Sequence, residues 1–345
     1  MSIKEFSTDF GTVTFVTLTN AGGASATIST LGAGITSVIV PDKHGAMTDV
    51  VLGYSDPAAW MADGPCAGKV PGRFANRIAR GHFSIDGQEY SLAINNGPNA
   101  LHGGPTGFQN RIWNIVEVDD NHVVMEYTSA DGEEGYPGKL TARATYTWSD
   151  DNNLLLLLEA ETDKPTVVNL TNHAYFNLAG HDSGSVLDHC LRLNSSRYLP
   201  TDDTLIPLPG EPASVVGTPM DFTVKKALGR DIKADFPALK YGKGYDNCWV
   251  LDGERGTMRV AAELTDPTTG RRLIVSTTQP GVQVYTGNWL AGCPVSKSGK
   301  EYNDYDGVAI ECQAFPDSPN RPDFPSTLLR PGEKYSETIA FKFEV

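Results

Sequence analysis

Short runs of Val, Ile, Thr, Phe and Tyr, separated by clusters of Gly, Asn and Asp, recur from one end of the chain to the other, the spacing of a strand-and-turn protein. Over residues 12–19, Val13 and Phe15 share one phase of the alternation and Val16 and Leu18 the other, which predicts a strand with a one-residue slip, a β-bulge. Phe83 and Ile85 alternate ahead of Asp86-Gly87, a dipeptide suited to the positive φ angles of a tight hairpin turn, so the next strand should begin near Glu89. Residues 154–158 are five leucines in a row, too short a run for an ordinary helix, and they predict a strand buried on both faces between two layers. Ile339, Phe341, Phe343 and Val345 alternate with Ala340, Lys342 and Glu344 in a half-buried closing strand that follows the turn Pro331-Gly332.

Helix signals are few. Residues 56–63 offer an Asp-Pro start, and residues 225–234 tolerate a helix although Gly229 interrupts them. Residues 205–218 read as a Pro- and Gly-rich loop, and neither a repeat of fixed period nor a low-complexity linker divides the chain. The pattern predicts an all-β protein, two stacked sheets forming one domain over residues 1–345.

Composition adds limits to this picture. With 345 residues, 40% of them hydrophobic, the chain can bury a large core. Its 28 Lys and Arg against 42 Asp and Glu give a formal charge of −14, and the basic residues are scattered, which disfavours nucleic acid and other polyphosphates as partners. The segment Met1 to Phe6 lacks a basic stretch followed by an apolar one, and no run approaches the roughly 18 apolar residues of a membrane span. The expectation is a soluble, cytoplasmic protein without membrane contact. Five cysteines, Cys66, Cys190, Cys248, Cys293 and Cys312, are odd in number and form no Cys-x-x-Cys pair, so reduced thiols are expected instead of disulfides or a zinc knuckle.

Four segments carry polar groups where strand pattern gives way to loop. In the first, residues 72–78, Arg77 offers a rigid fork of donors to an oxygen-rich ligand, or serves as an ordinary carboxylate-paired arginine. The second, residues 95–104, holds His102 among Gly and Asn residues that permit unusual backbone angles. The third, Asn169-Leu170-Thr171-Asn172-His173-Ala174-Tyr175-Phe176-Asn177-Leu178, combines amides, an imidazole and aromatic faces as a sugar site does, but a satisfied polar network in a core has the same composition. In the fourth, Glu311 interrupts the apolar run Val308-Ala309-Ile310; it either faces solvent or is partly buried with the raised pKa that a general base needs. A metal is the competing use for His102, His173 and Glu311, yet no His-x-His or His-Glu-x-x-His spacing supports one. Gly-x-Ser-x-Gly, Walker-type loops and Gly-x-Gly-x-x-Gly after a strand are also lacking.

Taken in order, GRFANRIARGHF, AINNGPNALHGG, NLTNHAYFNL, GYDNCW, STTQPGVQVYTGN and ECQAFPDSPNRPDFPSTLLRPGEKY resemble the aldose 1-epimerase (galactose mutarotase) family over nearly the whole chain. The resemblance implies a single large antiparallel β-sandwich of the galactose mutarotase type and an enzyme that interconverts the α and β anomers of free aldohexoses such as glucose and galactose. It places the general base on Glu311 and the general acid on His173. His102 and Arg77 would contact the sugar near the reacting centre, Asp246 would hold hydroxyls on the far side, and Asn76 and Gln279 would complete the pocket. The implied partner is a monosaccharide, with no cofactor and no metal, and the protein would be a monomer or homodimer. One departure touches specificity: after Tyr245-Asp246 many relatives continue His-Asn-Phe or His-Asn-Tyr, whereas this chain has Asn247-Cys248-Trp249, in which Trp249 either stacks on the sugar or fills the core. The rivals are a sugar-binding protein without turnover, a hexose-6-phosphate 1-epimerase, which needs an added basic clamp, and a carbohydrate lyase or hydrolase, which needs a long groove and usually a second carboxylate.

Overall fold

The run of leucines lies at the centre of the largest sheet. The computed structural model describes residues 1–345, and in it Asn153–Thr162 pairs antiparallel with Leu140–Trp148 on one side and Tyr335–Glu344 on the other, within a nine-stranded sheet. Leu154, Leu156 and Leu158 are fully buried, whereas Leu155 and Leu157 are only half-buried. The expectation of burial on both faces is therefore corrected: only one face meets the second layer, and the other lies beside Thr145, Thr147, Thr338 and Ala340 of the neighbouring strands. The closing strand behaves as its alternation predicts, with Ile339, Phe341 and Phe343 in the core and Val345 exposed.

Against this sheet packs a six-stranded one, ordered Tyr175–Phe176, Val308–Gln313, Gly281–Tyr285, Asp246–Val250, Arg197–Tyr198 and Ala213–Ser214. The rings of Phe176 and Phe341 meet across the layers with centroids 5.5 Å apart. Val282, Val284, Ile310, Cys312 and Trp249 join Leu156 and Phe341 in one core cluster of 58 buried side chains. Because successive side chains of a strand point to opposite faces, the alternate residues Glu311, Gln283, Tyr285, Asp246 and Cys248 must stand on the sheet's other face. That face carries the site. The same alternation settles the departure noted above, since Trp249 falls on the core side and donates Nε1–H to Met220 O at 3.0 Å.

A five-stranded sheet runs from Ser2–Thr8 to Met47–Asp49. The bulge expected over residues 12–19 is not there, because Gly11–Thr19 pairs without a break on both edges. Val16 and Leu18 enter the main core while Val13 and Phe15 pack into a second cluster with Leu31 and Trp60, so apolar residues in both phases reflect two buried faces. The hairpin His82–Ile85 to Gln88–Ser91 turns through Asp86 and Gly87, both at positive φ.

Two short α-helices are present. Pro57–Met61 is capped by Asp56, whose side chain accepts from Ala58 N at 2.9 Å. Residues 225–234 form no α-helix: Lys226 is pinned by its Nζ to Pro219 O at 2.6 Å and Asp231 at 2.8 Å, and Gly229 N donates to Leu187 O at 2.7 Å. The second helix is Pro237–Gly242, just beyond.

Candidate active site

A cavity of about 800 Å³ opens over the outer face of the six-stranded sheet. Of the seven sequence-predicted residues, Asn76, Arg77, His102, His173, Asp246 and Glu311 line it, and Gln279 does not. Gln279 is buried elsewhere, where its Nε2 donates to Leu170 O at 3.2 Å and to the Tyr335 hydroxyl at 3.0 Å. A glutamine that stands on the site face, opposite Glu311 in the strand register, is Gln283, which donates to Asp246 Oδ1 at 2.7 Å. Alternation of Val282 and Val284 with Gln283 and Tyr285 was the signal that could have found it.

Two loops deliver the residues from the chain's first third. Asn76 and His102 both adopt left-handed backbone, and each holds the other: His102 N donates to Asn76 O at 3.1 Å, and Asn76 N donates to His102 Nδ1 at 3.1 Å. The turn after His102 needs glycine, because a Cβ on Gly103 would lie 1.8 Å from Gly72 O. Arg77 begins a two-stranded ladder with Leu101. Its Nε donates to Asn96 Oδ1 at 3.1 Å and its NH2 reaches Asp246 Oδ2 at 3.4 Å, so the guanidinium is aimed from two sides.

The third segment resolves into both of its readings. Asn169, Thr171, Asn172 and Asn177 form the satisfied network, with bonds such as Thr171 Oγ1 to Cys312 O at 2.7 Å and Asn172 Nδ2 to Gly68 O at 2.6 Å. Only His173 and Tyr175 of this stretch turn into the cavity. The His173 backbone is clamped by Lys69 O and Gly68 N, each at 2.9 Å, and its ring packs against Tyr175 with centroids 5.0 Å apart.

His173 Nε2 stands 3.5 Å from Glu311 Oε1, with side chains 6% and 2% exposed. Burial pushes the Glu311 carboxyl well above its usual range, the Asp246 charge pushes the same way, and Arg77 opposes them. Burial pushes His173 down to about 4, so its imidazole is neutral at pH 7. His102 is also pushed well below its usual value, by burial first, then by the repulsion between protons on both rings of the His102–His173 pair and by the Arg77 charge. With its Nδ1 accepting from Asn76, its Nε2 carries the proton and is a donor.

That tautomer bears on a metal. Donor atoms of His102, His173 and Glu311 lie within 4.8 Å of one another. A tetrahedral zinc with nitrogen ligands at about 2.0–2.1 Å requires closer donors and a bare ring nitrogen, and the one bare nitrogen of His102 is already occupied by Asn76. The trio fits proton transfer to a bound oxygen better than metal ligation.

Sequence reasoning also missed Asn96, Tyr285 and Trp289. Tyr285 closes an aromatic floor, its ring centroid 5.9 Å from Tyr175 and 6.4 Å from His173, and its hydroxyl accepts from Trp289 N at 3.1 Å. Trp289 stands 63% exposed at the rim.

Comparison with known proteins covers most of the chain. A family model described as Aldose 1-epimerase matches residues 14–342. The chain is 45% identical to the galactose mutarotase of Bos taurus over 314 residues, covering 91% of this chain and 89% of that one. It is 38% identical to the aldose 1-epimerase of Escherichia coli over 330 residues, covering 95% and 94%. The crystal structure of an aldose epimerase homologue from C. elegans superposes with a TM-score of 0.88 at 32% identity, covering 96% of this chain and 98% of that one. A galactose 1-epimerase from Lactobacillus acidophilus gives a TM-score of 0.85 at 29% identity, covering 99% and 98%.

Proposed function

This chain belongs to the aldose 1-epimerase family, and on that premise we propose that it interconverts the α and β anomers of a free aldohexose, with Glu311 as general base and His173 as general acid. The observation that carries the assignment is the 3.5 Å approach of His173 Nε2 to Glu311 Oε1 in a cavity that also presents Asn76, Arg77, Asn96, His102, Asp246, Tyr175, Tyr285 and Trp289.

The reaction needs one proton taken from the C1 hydroxyl and one given to the ring oxygen; the ring then opens, the C1–C2 bond rotates, and closure on the other face reverses both transfers. The pair is suited to this because its two shifts are opposed. Burial favours the proton on Glu311 and a neutral imidazole in the free site, while the productive form has the same number of protons with one moved across to His173. No net proton is exchanged with solvent over a cycle. Arg77 and the Nε2–H of His102 offer donors to oxygens beside the reacting carbon, and Asp246, held by Gln283, offers an acceptor to a hydroxyl further away.

Among the lining side chains Arg77 is the one Lys or Arg, and it already faces Asp246, which favours an unphosphorylated sugar over a sugar phosphate. Glucose and galactose are the proposed substrates. No helix is long and apolar enough to cross a membrane, and all five thiols are free, in keeping with the proposed cytoplasmic location.

The test is polarimetry on freshly dissolved α-D-glucose and α-D-galactose, corrected for spontaneous mutarotation. The wild-type protein should accelerate both, and Glu311→Gln should lose a factor on the order of 10² to 10⁴ while remaining folded. A folded Glu311→Gln protein with more than about a tenth of wild-type activity would overturn the base assignment.

A further inference from the structure

Glu311 has companions on its face of the sheet that the reaction as described does not use. In the register of Val308–Gln313 against Gly281–Tyr285, Glu311 lies opposite Gln283, and Gln313 lies opposite Gly281 one rung further along. Alternation puts Glu311, Gln283 and Gln313 together on the side away from the core, since Ile310, Cys312 and Val282 point into it. Their exposures are 2%, 3% and 0%.

All three keep polar atoms without a protein partner: Glu311 Oε2, Gln283 Oε1, and both Oε1 and Nε2 of Gln313. Burying an amide with neither atom paired is costly, so such a cluster marks a bound polar group. Gln313 is closed off from outside, because above Gly281 stand Cys248 Sγ and the Phe315 ring, each 2.9 Å from where a Cβ would be, within an apolar cluster that includes Leu199 and Phe324. The orientation of Gln283 is fixed by the Asp246 carboxylate, which takes its Nε2 at 2.7 Å and leaves Oε1 as the free end. Glu311 Oε2 and Gln283 Oε1 are therefore unpaired acceptors, and Gln313 Nε2 an unpaired donor, on three side chains that neighbour one another in the register. A water molecule has two hydrogens to give and can accept one, and buried waters make about three such bonds.

We propose that Gln313 is a positioning residue for Glu311: together with Gln283 it holds one buried water that accepts from Gln313 Nε2 and donates to Gln283 Oε1 and Glu311 Oε2. The water fixes one oxygen of the carboxylate so that the other faces His173, and it favours the charged form that burial opposes. The titratable and charged groups acting on Glu311 from the surrounding segments are His173, Asp246, Arg77, Tyr175 and the thiols of Cys66, Cys248 and Cys312, with His102 beside them. Arg77 is the only fixed cation in this set, so a neutral donor to Oε2 has a distinct effect.

Two measurements test the proposal, whose kinetic arm rests on Glu311 being the base. A high-resolution crystal structure of the whole chain should show a water within hydrogen-bond reach of Glu311 Oε2, Gln283 Oε1 and Gln313 Nε2. A direct bond from Gln313 to Glu311, or no water there, overturns it. Gln313→Met removes the donor at similar volume, and the acid limb of kcat/KM against pH should move up by about one unit while the plateau stays within about threefold. Gln313→Asn, which keeps an amide, should move the limb back toward wild type and also serves if the Met variant does not fold. A merely structural glutamine would lower Tm and leave the limb in place, an outcome that overturns the proposal. An active Glu311→Gln protein would instead remove the base assignment and leave the crystallographic result standing.

Discussion

His173 Nε2 and Glu311 Oε1 stand 3.5 Å apart because two unrelated parts of the fold aim at one point: a strand whose alternation turns Glu311 away from the core, and a backbone clamp on His173 from Gly68 and Lys69. If these side chains act as one proton-moving unit, removing either disables both. His173→Asn should therefore lose activity on the order of 10² to 10⁴, and the double variant with Glu311→Gln should be no slower than the worse single variant. Rates of mutarotation for the two single variants and the double variant decide this; losses that multiply would mean independent roles.

The two glutamines predict opposite phenotypes. Gln283 touches Asp246, so Gln283→Leu frees a carboxylate that should orient a sugar hydroxyl, and KM should rise several-fold with a small change in Tm. Gln279 instead bridges Leu170 O and Tyr335 OH in the interior, and since those two also bond each other, Gln279→Leu removes two hydrogen bonds without orphaning either partner, at a cost of about 0.5–1.5 kcal/mol each. Its Tm should fall while kcat and KM hold. Calorimetry and initial rates on both proteins check the contrast.

The buried imidazoles and the buried carboxyls contribute to acid stability with opposite signs. An unfolded histidine takes up a proton near pH 6.5, while burial pushes His173 down to about 4 and holds His102 and His189 below their usual value. His189 must stay neutral for its Nε2 to accept from Leu178 N at 2.9 Å. For these imidazoles the unfolded state binds more protons than the folded one between about pH 6.5 and 4, so their contribution to stability falls as pH falls, while the raised carboxyls of Glu311 and Asp63 take up protons in the folded state and contribute in the opposite direction. NMR titration of the three rings should find them neutral in the folded protein at pH 6; rings that titrate near pH 6.5 would mean that burial does not hold them neutral.

The sheet architecture was legible because alternation and turn chemistry are local: residues 82–91 read as a hairpin from the Asp86-Gly87 turn, and the closing strand from every second residue. Misreadings came where apolar residues appear in both phases. Val13 and Phe15 suggested a slip when they serve a second cluster, and Leu155 and Leu157 suggested full burial when they face threonines. At the site, local chemistry left His173 and Glu311 ambiguous, since exposure of a strand carboxylate depends on what lies over the sheet. The ordered motifs singled them out, but a motif does not tell Gln279 from Gln283; register does, by placing Gln283 opposite Glu311. Asn96 and Trp289 were invisible because their roles depend on the loops that surround them.

Trp289 supports the last prediction. A tryptophan 63% exposed at the rim of a polar cavity presents a large flat apolar face to water, where the C–H side of a pyranose can pack. Lys243 Nζ lies 4.3 Å over the ring centroid on one side, and the Tyr285 hydroxyl holds the Trp289 backbone at 3.1 Å, so the indole has a fixed place and a free face. The contact lies away from the His173–Glu311 pair, so it should bind the ground state and the transition state alike. Trp289→Ala should then raise KM by about three- to tenfold and leave kcat unchanged. Tm should hold, because little is packed against the exposed ring. Saturating hexose should also alter the intrinsic fluorescence of the wild-type protein more than that of the variant, since the other four tryptophans are buried. An unchanged KM together with unchanged fluorescence would show that the sugar does not reach the rim.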